Sequence, residues 1–321
     1  MPLTQQEIAQ QLGVSRSLVS RALRGTAEDI GAAPATIQRI QREAARRGYQ
    51  PSAAALSLRG ERTRTLGIVV RDFDDPYFGR LIGELQSVAA AAAYSLVLTG
   101  CREGAQLDLA ALLKYRLDGL IIAGSEFVPA GLAEFTERGL PVAQIGTGES
   151  RTGVFRVAMD EADGLRQLLR HLVERGHREI GYIGDGTPAK RRREETLKSA
   201  LRAEGLPVRT KWFTNTSQPP TESPTALIAA DDRLAQSTLR ILFERGVRVP
   251  VDVSLAGVDD IPSARMTIPA LTTIRQPMRE MVRAAFEHVT AEKAAKRREI
   301  LVKPELVVRE SCAPPTERRA S

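Results

Sequence analysis

From Thr65 onward the sequence alternates between short apolar runs and longer helical segments, and this alternation restricts the possible folds more than any other feature. The apolar runs are rich in Val, Ile and Leu, as is typical of strands that helices cover on both faces. Predicted strands are residues 66–70, 94–98, 118–122 and 141–145, with predicted helices at 78–93 and 107–114 between them. The pattern predicts a parallel sheet packed between layers of helices.

A second series of the same kind begins with a predicted helix at residues 164–174. Its predicted strands are residues 179–183, 226–230 and 253–258. Two series predict two doubly wound lobes with a cleft between them. Ligands bind such sheets at the carboxyl ends of the strands, so we expect a pocket to be formed by residues that directly follow each strand.

The first 50 residues show a different pattern, which predicts three short helices. Residues 4–12 and 15–23 form two helices joined by a turn at Gly13-Val14, and Pro34 suits the first turn of a third helix. Two short helices joined by a glycine-containing turn place the second helix in the major groove of DNA. The start of the chain therefore predicts a helix-turn-helix.

Charge and cysteine content agree with a DNA-binding protein of the cytoplasm. The net charge of +7 suits a polyanionic partner, and the residues up to Gly60 include eight arginines and four acidic residues. Cys101 and Cys312 lie far apart without metal-ligand spacing, which predicts free thiols and no metal site. There is no signal-peptide pattern and no apolar run of the ~20 residues that a membrane span needs. We therefore expect a cytoplasmic protein with no membrane partner.

A set of short motifs runs through both parts of the chain in a characteristic order and spacing. The motifs are Gly13-Val14-Ser15, Val19-Ser20-Arg21, Gly48-Tyr49-Gln50-Pro51, Asp75-Pro76-Tyr77-Phe78, Asp118-Gly119-Leu120-Ile121-Ile122, Arg175-Gly176-His177-Arg178-Glu179-Ile180, Pro224-Thr225-Ala226, Asp231-Asp232, Val258-Asp259-Asp260 and Leu271-Thr272-Thr273-Ile274-Arg275-Gln276-Pro277. Together they resemble the lactose-repressor (LacI/GalR) family of bacterial transcription regulators, from Thr4 to about Ser311.

The resemblance implies an N-terminal all-α helix-turn-helix head and an α/β two-lobed, periplasmic-binding-protein-like domain with doubly wound parallel sheets. The expected divisions are a DNA-binding domain at 1–50, a hinge helix and linker at 51–64, a ligand-sensing and dimerisation domain at 65–311 and a tail at 312–321. Within the sensing domain we expect lobe 1 at approximately 65–158 and 276–299, and lobe 2 at approximately 159–275 and 300–311.

The head carries most of the residues expected to contact DNA, namely Thr4, Ser15, Arg16, Ser17, Ser20, Arg21 and Arg24. Arg16, Ser17 and Arg21 point away from the expected core and match the family's base-reading positions. An arginine that bonds guanine bidentately contributes ~1–3 kcal/mol of discrimination. Ser15, Ser20 and Thr4 are better suited to phosphate contacts, which set the register on the duplex. The alternative interpretation of the arginines is a solvated helix face.

Residues 51–58 resemble the family's hinge helix, which binds the minor groove. Leu58 matches the leucine that wedges between base pairs, and Ala55 is expected beside the groove floor. Ser52 stands where the family usually has asparagine. The alternative is an Ala-Leu linker helix that packs on the sensing domain.

The candidates for binding an effector come from two sources. Tyr77 and Phe78, with Asp75, follow the first predicted strand, and Trp212 is a candidate as an aromatic residue near the pocket. The resemblance implies the others, at positions that lie in or near the cleft in the family, namely Asp160, Arg193, Asp231, Asp259 and Gln276. Carboxylates and a guanidinium suit ligand hydroxyls, and an aromatic side chain suits the face of a ring. The alternatives are core aromatics, helix caps and surface ion pairs, and an exposed position at the pocket rim for Trp212.

Lobe 2 departs from the family pattern in several places. Asp231-Asp232 replaces Asn-Asp, and the family's Gly-Phe after Arg193 becomes Thr196-Leu197. Residues 214–223 are loop-like and too short for the usual helix, and in lobe 1 the segment between Leu98 and Asp118 is also short. We therefore expect one side of lobe 2 to be thinner, and the effector cannot be inferred from those of relatives.

These features predict a dimeric, sequence-specific repressor that binds a pseudo-palindromic operator in double-stranded DNA. A sugar or nucleoside-like metabolite between the lobes is expected to change its operator affinity, and operator-bound protein is expected at the nucleoid. No cofactor is expected, and an enzyme is disfavoured because residues 184–190 lack phosphate-loop spacing. The alternatives are a regulator whose degenerate pocket no longer binds a ligand and, less favoured, a sugar-binding transport-type protein.

Overall fold

The computed structural model describes residues 3–49, 62–100, 109–124, 131–146, 148, 151–222, 224–292 and 298–316. The chain divides into two compact units, a head at residues 1–63 and a sensing domain at residues 64–321. None of the helices within the described ranges is both long and apolar enough to span a bilayer.

The head contains three helices, α1 (Gln5–Leu12), α2 (Arg16–Ala22) and α3 (Pro34–Arg46). A capping box begins α1, because Thr4 Oγ1 accepts the Glu7 N–H while Glu7 Oε2 accepts the Thr4 N–H. Ser15 begins α2 by accepting the Leu18 N–H at 3.1 Å. Gly13 ends α1 with a φ of 64°, a left-handed conformation that favours glycine. The predicted helix-turn-helix and the Ser15 cap are confirmed, and Thr4 is a cap rather than the first helical residue.

A small apolar core holds the three helices together. Ile8, Val19 and Ile40 are fully buried, one from each helix. Ala27 joins them from the loop between α2 and α3, which also contains a short 3₁₀ turn at Glu28–Ile30. The burial of Val19 determines which face of α2 remains outside.

Lobe 1 of the sensing domain is built on a six-stranded parallel sheet. Its elements are β1 (Thr65–Val70), α4 (Pro76–Ala91), β2 (Ser95–Gly100), α5 (Ala110–Leu113), β3 (Gly119–Ala123), α6 (Leu132–Glu137), β4 (Val142–Ile145), β5 (Val154–Met159), α10 (Met278–Thr290) and β11 (Glu299–Val302). The strand order is β11-β5-β4-β3-β1-β2. Helices cover both faces of the sheet, so the central strands are almost entirely buried, as their apolar sequences predict.

Lobe 2 repeats this architecture with one antiparallel edge strand. Its elements are α7 (Glu161–Glu174), β6 (Ile180–Ile183), α8 (Pro188–Ala203), β7 (Phe213–Thr214), β8 (Ala226–Ala229), α9 (Asp232–Glu244), β9 (Ser254–Asp259), β10 (Thr272–Arg275) and β12 (Glu305–Val307). The strand order is β12-β10-β9-β8-β6-β7, and only β12 runs antiparallel to its neighbour.

The chain passes between the lobes three times, after β5, after β10 and after β11. Two of these crossings come later than the sequence predicts, because Met159 and Val302 still belong to strands of lobe 1. The second difference arises because β11 extends the sheet by pairing with β5. The predicted tail also begins later, since Cys312 is buried and the Ala313 N–H donates to Ser254 Oγ at 3.0 Å.

The connection between β7 and β8 has the loop structure that its sequence predicts. Its described residues, 215–222 and 224–225, contain no helix. Asn215 Nδ2 donates to Glu194 Oε2 at 2.7 Å, and the Ser217 N–H donates to Gly184 O at 2.9 Å. The loop therefore packs beside the end of β6, on the thinner side of lobe 2.

Candidate functional site

Helix α2 of the head presents a polar face to solvent. Arg16 and Ser17 are exposed and Arg21 is half-buried, whereas Val19 and Ala22 are fully buried. This is the division of faces that the helix-turn-helix sequence predicts. The arrangement leaves side chains with charged and hydrogen-bonding ends on the surface of the helix that would enter a groove.

The predicted phosphate contacts differ in how far their hydroxyl groups are already engaged. Ser15 Oγ accepts a backbone N–H, a bond that leaves its proton for a donor interaction. The Thr4 hydroxyl instead donates to Glu7 Oε2 at 2.9 Å, so a phosphate contact from it would require the capping box to open. Arg24 Nε donates to Ser20 O at 2.9 Å and holds its side chain along the end of α2. The hinge candidates Ala55 and Leu58 lie outside the described residues.

A cavity of ≈ 100 Å³ lies between the two lobes, at the carboxyl ends of both sheets. It is lined by most of the effector-binding candidates, namely Asp75, Tyr77, Phe78, Arg193, Asp231, Asp259 and Gln276. Phe78, Ile145 and Met159 form an apolar wall from lobe 1, and the polar residues of the opposite wall come mainly from lobe 2. We call this space the inner cavity.

Asp75 and Tyr77 lie at the start of α4. Asp75 Oδ1 accepts the Tyr77 N–H at 3.0 Å and caps the helix. Asp75 is therefore both a helix cap and a lining residue of the inner cavity. The Tyr77 hydroxyl donates to Gln276 Oε1 at 3.3 Å, and its ring meets Phe78 edge-on at 5.1 Å between centroids. Burial raises the pKa of Tyr77, so the phenol stays neutral and remains a donor.

Arg193 is bound by groups of its own lobe. It is 8 % exposed, its Nε donates to Glu161 Oε1 at 2.6 Å, and its Nη1 donates to Ala230 O. Burial opposes the charged form, but Glu161 and Asp259 hold the pKa of Arg193 above its ordinary value. The guanidinium therefore stays charged and already has a carboxylate partner.

Asp259 ends β9 and turns into the inner cavity with a φ of 114°, an unusual conformation for a residue with a side chain. Its Oδ1 accepts Gln276 Nε2 at 2.6 Å. Among the described residues no hydrogen bond reaches its Oδ2. Burial raises the pKa of Asp259 well above its usual range, although Arg193 acts in the opposite direction. Its protonation state is therefore sensitive to the charge of whatever occupies the cavity.

Lys190 is a cavity residue that the sequence analysis missed. Its Nζ lies 2.5 Å from Asp185 Oδ2 and 2.7 Å from Asp231 Oδ2. The signal was available, because Lys190 lies three residues before Arg193 on α8 and therefore on the same helix face. Asp231 also caps α9 by accepting the Leu234 N–H at 2.8 Å. An ammonium group thus already occupies the wall of lobe 2.

A larger space of ≈ 580 Å³ adjoins the inner cavity, and we call it the outer cavity. The two share the lining residues Arg71, Asp75, Thr187, Lys190 and Asp231. Arg233 of α9 reaches across it from lobe 2, with its Nη1 3.2 Å from Asp75 Oδ2 and 3.9 Å from Asp72 Oδ2. Sequence analysis also missed Arg71, which lies 3.9 Å from Asp75 in its own lobe, and Arg233, whose contacts depend on the opposite lobe.

Two effector-binding candidates lie elsewhere in the described structure. Asp160 caps α7 by accepting the Asp163 N–H at 2.9 Å, which supports the alternative interpretation as a cap. Trp212 is 3 % exposed, lies against Arg209 beside β7 and lines neither of the two cavities, so the exposed rim position is wrong. The 3₁₀ turn that contains it, Thr210–Trp212, packs against β6.

Comparison with known proteins agrees with this architecture. The family described as "Periplasmic binding protein-like domain" matches residues 169–312. The HTH-type transcriptional repressor PurR of Yersinia pestis bv. Antiqua (strain Antiqua) is 31% identical over 340 residues, covering 97% of each protein. The lac repressor dimer bound to operator and the anti-inducer ONPF shares the fold, with a TM-score of 0.79 at 22% identity over 98% of this chain and 100% of that chain. The transcriptional regulator CelR in complex with cellobiose aligns with a TM-score of 0.67 at 25% identity, over 96% of this chain and 99% of that chain.

The relatives are repressors rather than enzymes, which confirms the prediction of a regulator without enzymatic activity. The identity to PurR extends over both the head and the sensing domain. Together with the helix-turn-helix and the two lobes, it shows that the chain belongs to the lactose-repressor (LacI/GalR) family of transcription regulators.

Proposed function

We propose that this chain is a homodimeric repressor that binds a pseudo-palindromic operator, at the nucleoid of the cytoplasm, and whose affinity for the operator changes when a sugar or nucleoside-like metabolite binds between the lobes. The observation that carries the DNA-binding part is the exposed face of α2. Arg16, Ser17 and Arg21 stand on a helix that is held by the Ser15 cap and by a buried Val19. Two such heads in a dimer would read inverted half-sites.

Base reading is assigned to Arg16, Ser17 and Arg21, and phosphate contacts to Ser15, Ser20 and, once its capping box opens, Thr4. Arg24 is assigned to DNA without a specified contact. An arginine can bond guanine O6 and N7 with two N–H groups of its guanidinium, so Arg16 and Arg21 are expected to contribute more to base discrimination than Ser17. Leu58 and Ala55 of the hinge are assigned to the minor groove by the family resemblance alone.

The first experiment locates the operator by genome-wide footprinting and then tests it by gel shift. We expect Arg21→Ala to lose discrimination between operator and scrambled DNA by about 1–3 kcal/mol while retaining salt-sensitive nonspecific binding. Arg42→Ala is the matched control, because it removes an equally charged, exposed arginine from α3. Equal discrimination by the Arg21→Ala and Arg42→Ala proteins would overturn the base-reading role.

An exposed apolar loop of lobe 2 supports the assignment of a second copy as partner. Ile268 is 96% exposed and Met266 is 69% exposed, both in the loop that precedes β10. Large apolar side chains at this exposure are typical of a surface that another protein covers. We expect Ile268→Asp to shift the protein toward monomer in sedimentation experiments. The control Leu301→Asp, which is exposed on lobe 1, should leave the association unchanged.

A second function is favoured by the small size of the inner cavity. A regulator with a degenerate pocket would bind its operator in the same way whatever metabolite is present. The internal pairing of Arg193 with Glu161 and of Lys190 with Asp185 is the observation in its favour. Operator titrations with metabolites of the neighbouring genes separate the two, since only an effector-controlled repressor changes its affinity.

A further inference from the structure

Charged side chains around the two cavities are unequally divided between anions and cations. The aspartates are Asp72, Asp74, Asp75, Asp185, Asp231 and Asp259, and the cations are Arg71, Lys190, Arg193 and Arg233. Arg193 is moreover neutralised from behind by Glu161, which does not line either cavity. With Asp259 protonated, the remaining five aspartates and Glu161 still outnumber the four cations, so the lining as a whole is anionic and concentrates ligands of the opposite sign.

Two of the three cations that line the inner cavity are already bonded within the fold. The Arg193 guanidinium donates to Glu161 and to the carbonyl of Ala230. The Lys190 ammonium lies between Asp185 and Asp231. The third cation, Arg71, lies 3.9 Å from Asp75 Oδ2 and 5.7 Å from the centre of the Phe78 ring. An anion entering the cavity would have to compete with these carboxylates for the bonded cations.

The Asp259 carboxyl, in contrast, has hydrogen-bonding capacity that the fold does not use. Its carboxyl faces the inner cavity and accepts one hydrogen bond, from Gln276 Nε2 at Oδ1, within the described part of the chain. Its Oδ2 lacks a donor there, and a carboxylate accepts more than one hydrogen bond. An ammonium group donates up to three hydrogen bonds and carries the compensating charge, as Lys190 already does for Asp185 and Asp231.

The two volumes decide how such a ligand would enter. The inner cavity of ≈ 100 Å³ is the smaller of the two spaces and is large enough for an aminomethyl group. Its wall of Phe78, Ile145 and Met159 suits the methylene carbon. The outer cavity of ≈ 580 Å³ is large enough for a hydroxylated body and is lined by Asp75, Asp185 and other hydrogen-bonding side chains.

We propose, building on the effector-controlled repressor proposed above, that the effector is a hydroxylated primary amine whose ammonium group enters the inner cavity and bonds Asp259 while its hydroxyl groups lie in the outer cavity. Binding of the cation ionises Asp259 and releases its proton to solvent. The charged and titratable groups that line the inner cavity with Asp259 are Arg71, Asp75, Tyr77, Lys190, Arg193 and Asp231, and Asp232 of α9 also acts on it. Among the three cations, Arg193 is paired with Glu161, Lys190 lies between Asp185 and Asp231, and Arg71 lies 3.9 Å from Asp75.

The test compares three probes of nearly identical shape on the full chain by calorimetry and thermal shift. Glucamine (1-amino-1-deoxysorbitol) carries an ammonium where sorbitol carries a hydroxyl and gluconate carries a carboxylate. We expect glucamine to bind at least tenfold more tightly than sorbitol, and gluconate to bind most weakly. Equal or tighter binding of sorbitol or gluconate, or no binding of any probe at ~10 mM, would overturn the proposal.

Proton release gives a second readout that needs no variant. As pH rises through the pKa of Asp259, the affinity for glucamine should increase by up to tenfold per pH unit, whereas the affinity for sorbitol should stay constant. Calorimetry in two buffers of different ionisation enthalpy should show a proton released only with glucamine. Glucamine binding without either effect would mean that Asp259 is not its partner.

Substitution then identifies the carboxylate. Asp259→Asn should remove the preference for glucamine over sorbitol, and Asp252→Asn, at an exposed aspartate paired with Arg248, should keep it. Operator binding without a probe is measured on the same samples. Failure of all probes with intact operator binding overturns the effector class alone, whereas loss of operator binding by the unmodified protein overturns the proposed function.

Discussion

The head and the interlobe cavities both contain arginines, but these arginines lie in opposite environments. Arg16 of α2 is exposed, whereas Arg193 of α8 is 8 % exposed and bonded to Glu161 and Ala230. A cation that serves an external polyanion has to stay in solvent until the partner arrives. A cation in a buried cleft needs a partner within the fold, because removing an unpaired charge from water is costly. The same residue type therefore serves recognition in the head and architecture in the cleft.

The largest effect is expected when one arginine is removed from each region. Arg193→Met leaves the Glu161 carboxylate buried without its partner, so we expect the free energy of unfolding to fall by about 3–5 kcal/mol. Arg16→Met should change the stability by less than about 0.5 kcal/mol. Urea denaturation of both variants measures the difference. A double variant, Arg193→Met with Glu161→Leu, should recover much of the loss, and equal stability of the two single variants would contradict the contrast.

A second test concerns a buried carboxyl of the cleft region. Asp232 is fully buried, its Oδ1 accepts Thr273 Oγ1 at 2.6 Å and its Oδ2 accepts the Ile261 N–H at 2.9 Å. Burial raises its pKa from 3.8 to about 7, so the folded state holds a proton that the unfolded state loses. This contribution to stability is complete below about pH 4 and is lost as pH rises to about 7, by up to roughly 4 kcal/mol.

The measurement is the free energy of unfolding as a function of pH, for the wild type and for Asp232→Asn. The asparagine cannot ionise, so its curve should lack the decline between about pH 4 and pH 7. Asp252→Asn is the control, because its carboxyl is exposed and paired with Arg248. Parallel curves for the wild type and Asp232→Asn would show that Asp232 is ionised in the fold.

The smallest expected effect belongs to a pair that combines both environments. Arg233 is half-exposed like the arginines of the head, yet it bonds Asp75 of the other lobe. A pair with this exposure contributes about 1 kcal/mol or less, which still changes the ratio of closed to open lobes several-fold. We expect Arg233→Ala to increase hydrogen exchange of the backbone before α4, and Arg240→Ala, whose partner Glu244 lies on the same helix, to leave it unchanged. Identical exchange in the two variants would mean that the pair does not hold the lobes together.

The elements that could be predicted from the sequence are those with local signals. Pro34 begins α3, Ser15 caps α2, and the apolar run at 66–70 forms a central strand. The edge strands β11 and β12 carry no such signal, since their residues are only partly buried and mix charge with apolar side chains. Their existence depends on pairing with β5 and β10, which lie far away in the chain.

The residues of the candidate site also divide into those that the sequence predicts and those that depend on tertiary packing. Most residues directly after strands do line the inner cavity, because parallel strands bring their carboxyl ends to one edge. Asp160 directly follows β5 but is used as a helix cap, and Trp212, which precedes β7, is part of the core. Which of several suitable positions faces the cleft depends on how neighbouring elements pack, and no local pattern records this.

The sequence by itself therefore determined the helix-turn-helix, the two α/β lobes and the edge at which the lobes meet. These features follow from caps, turns and hydrophobic periodicity, which act between residues close together in the chain. Only the tertiary structure decided which charges are available for binding. It joined Arg193 to Glu161, Lys190 to Asp185 and Arg233 to Asp75, and left Asp259 with Gln276. The availability of a charged side chain for binding depends on its solvation and on its nearest opposite charge. Most of these partners come together only when distant segments pack.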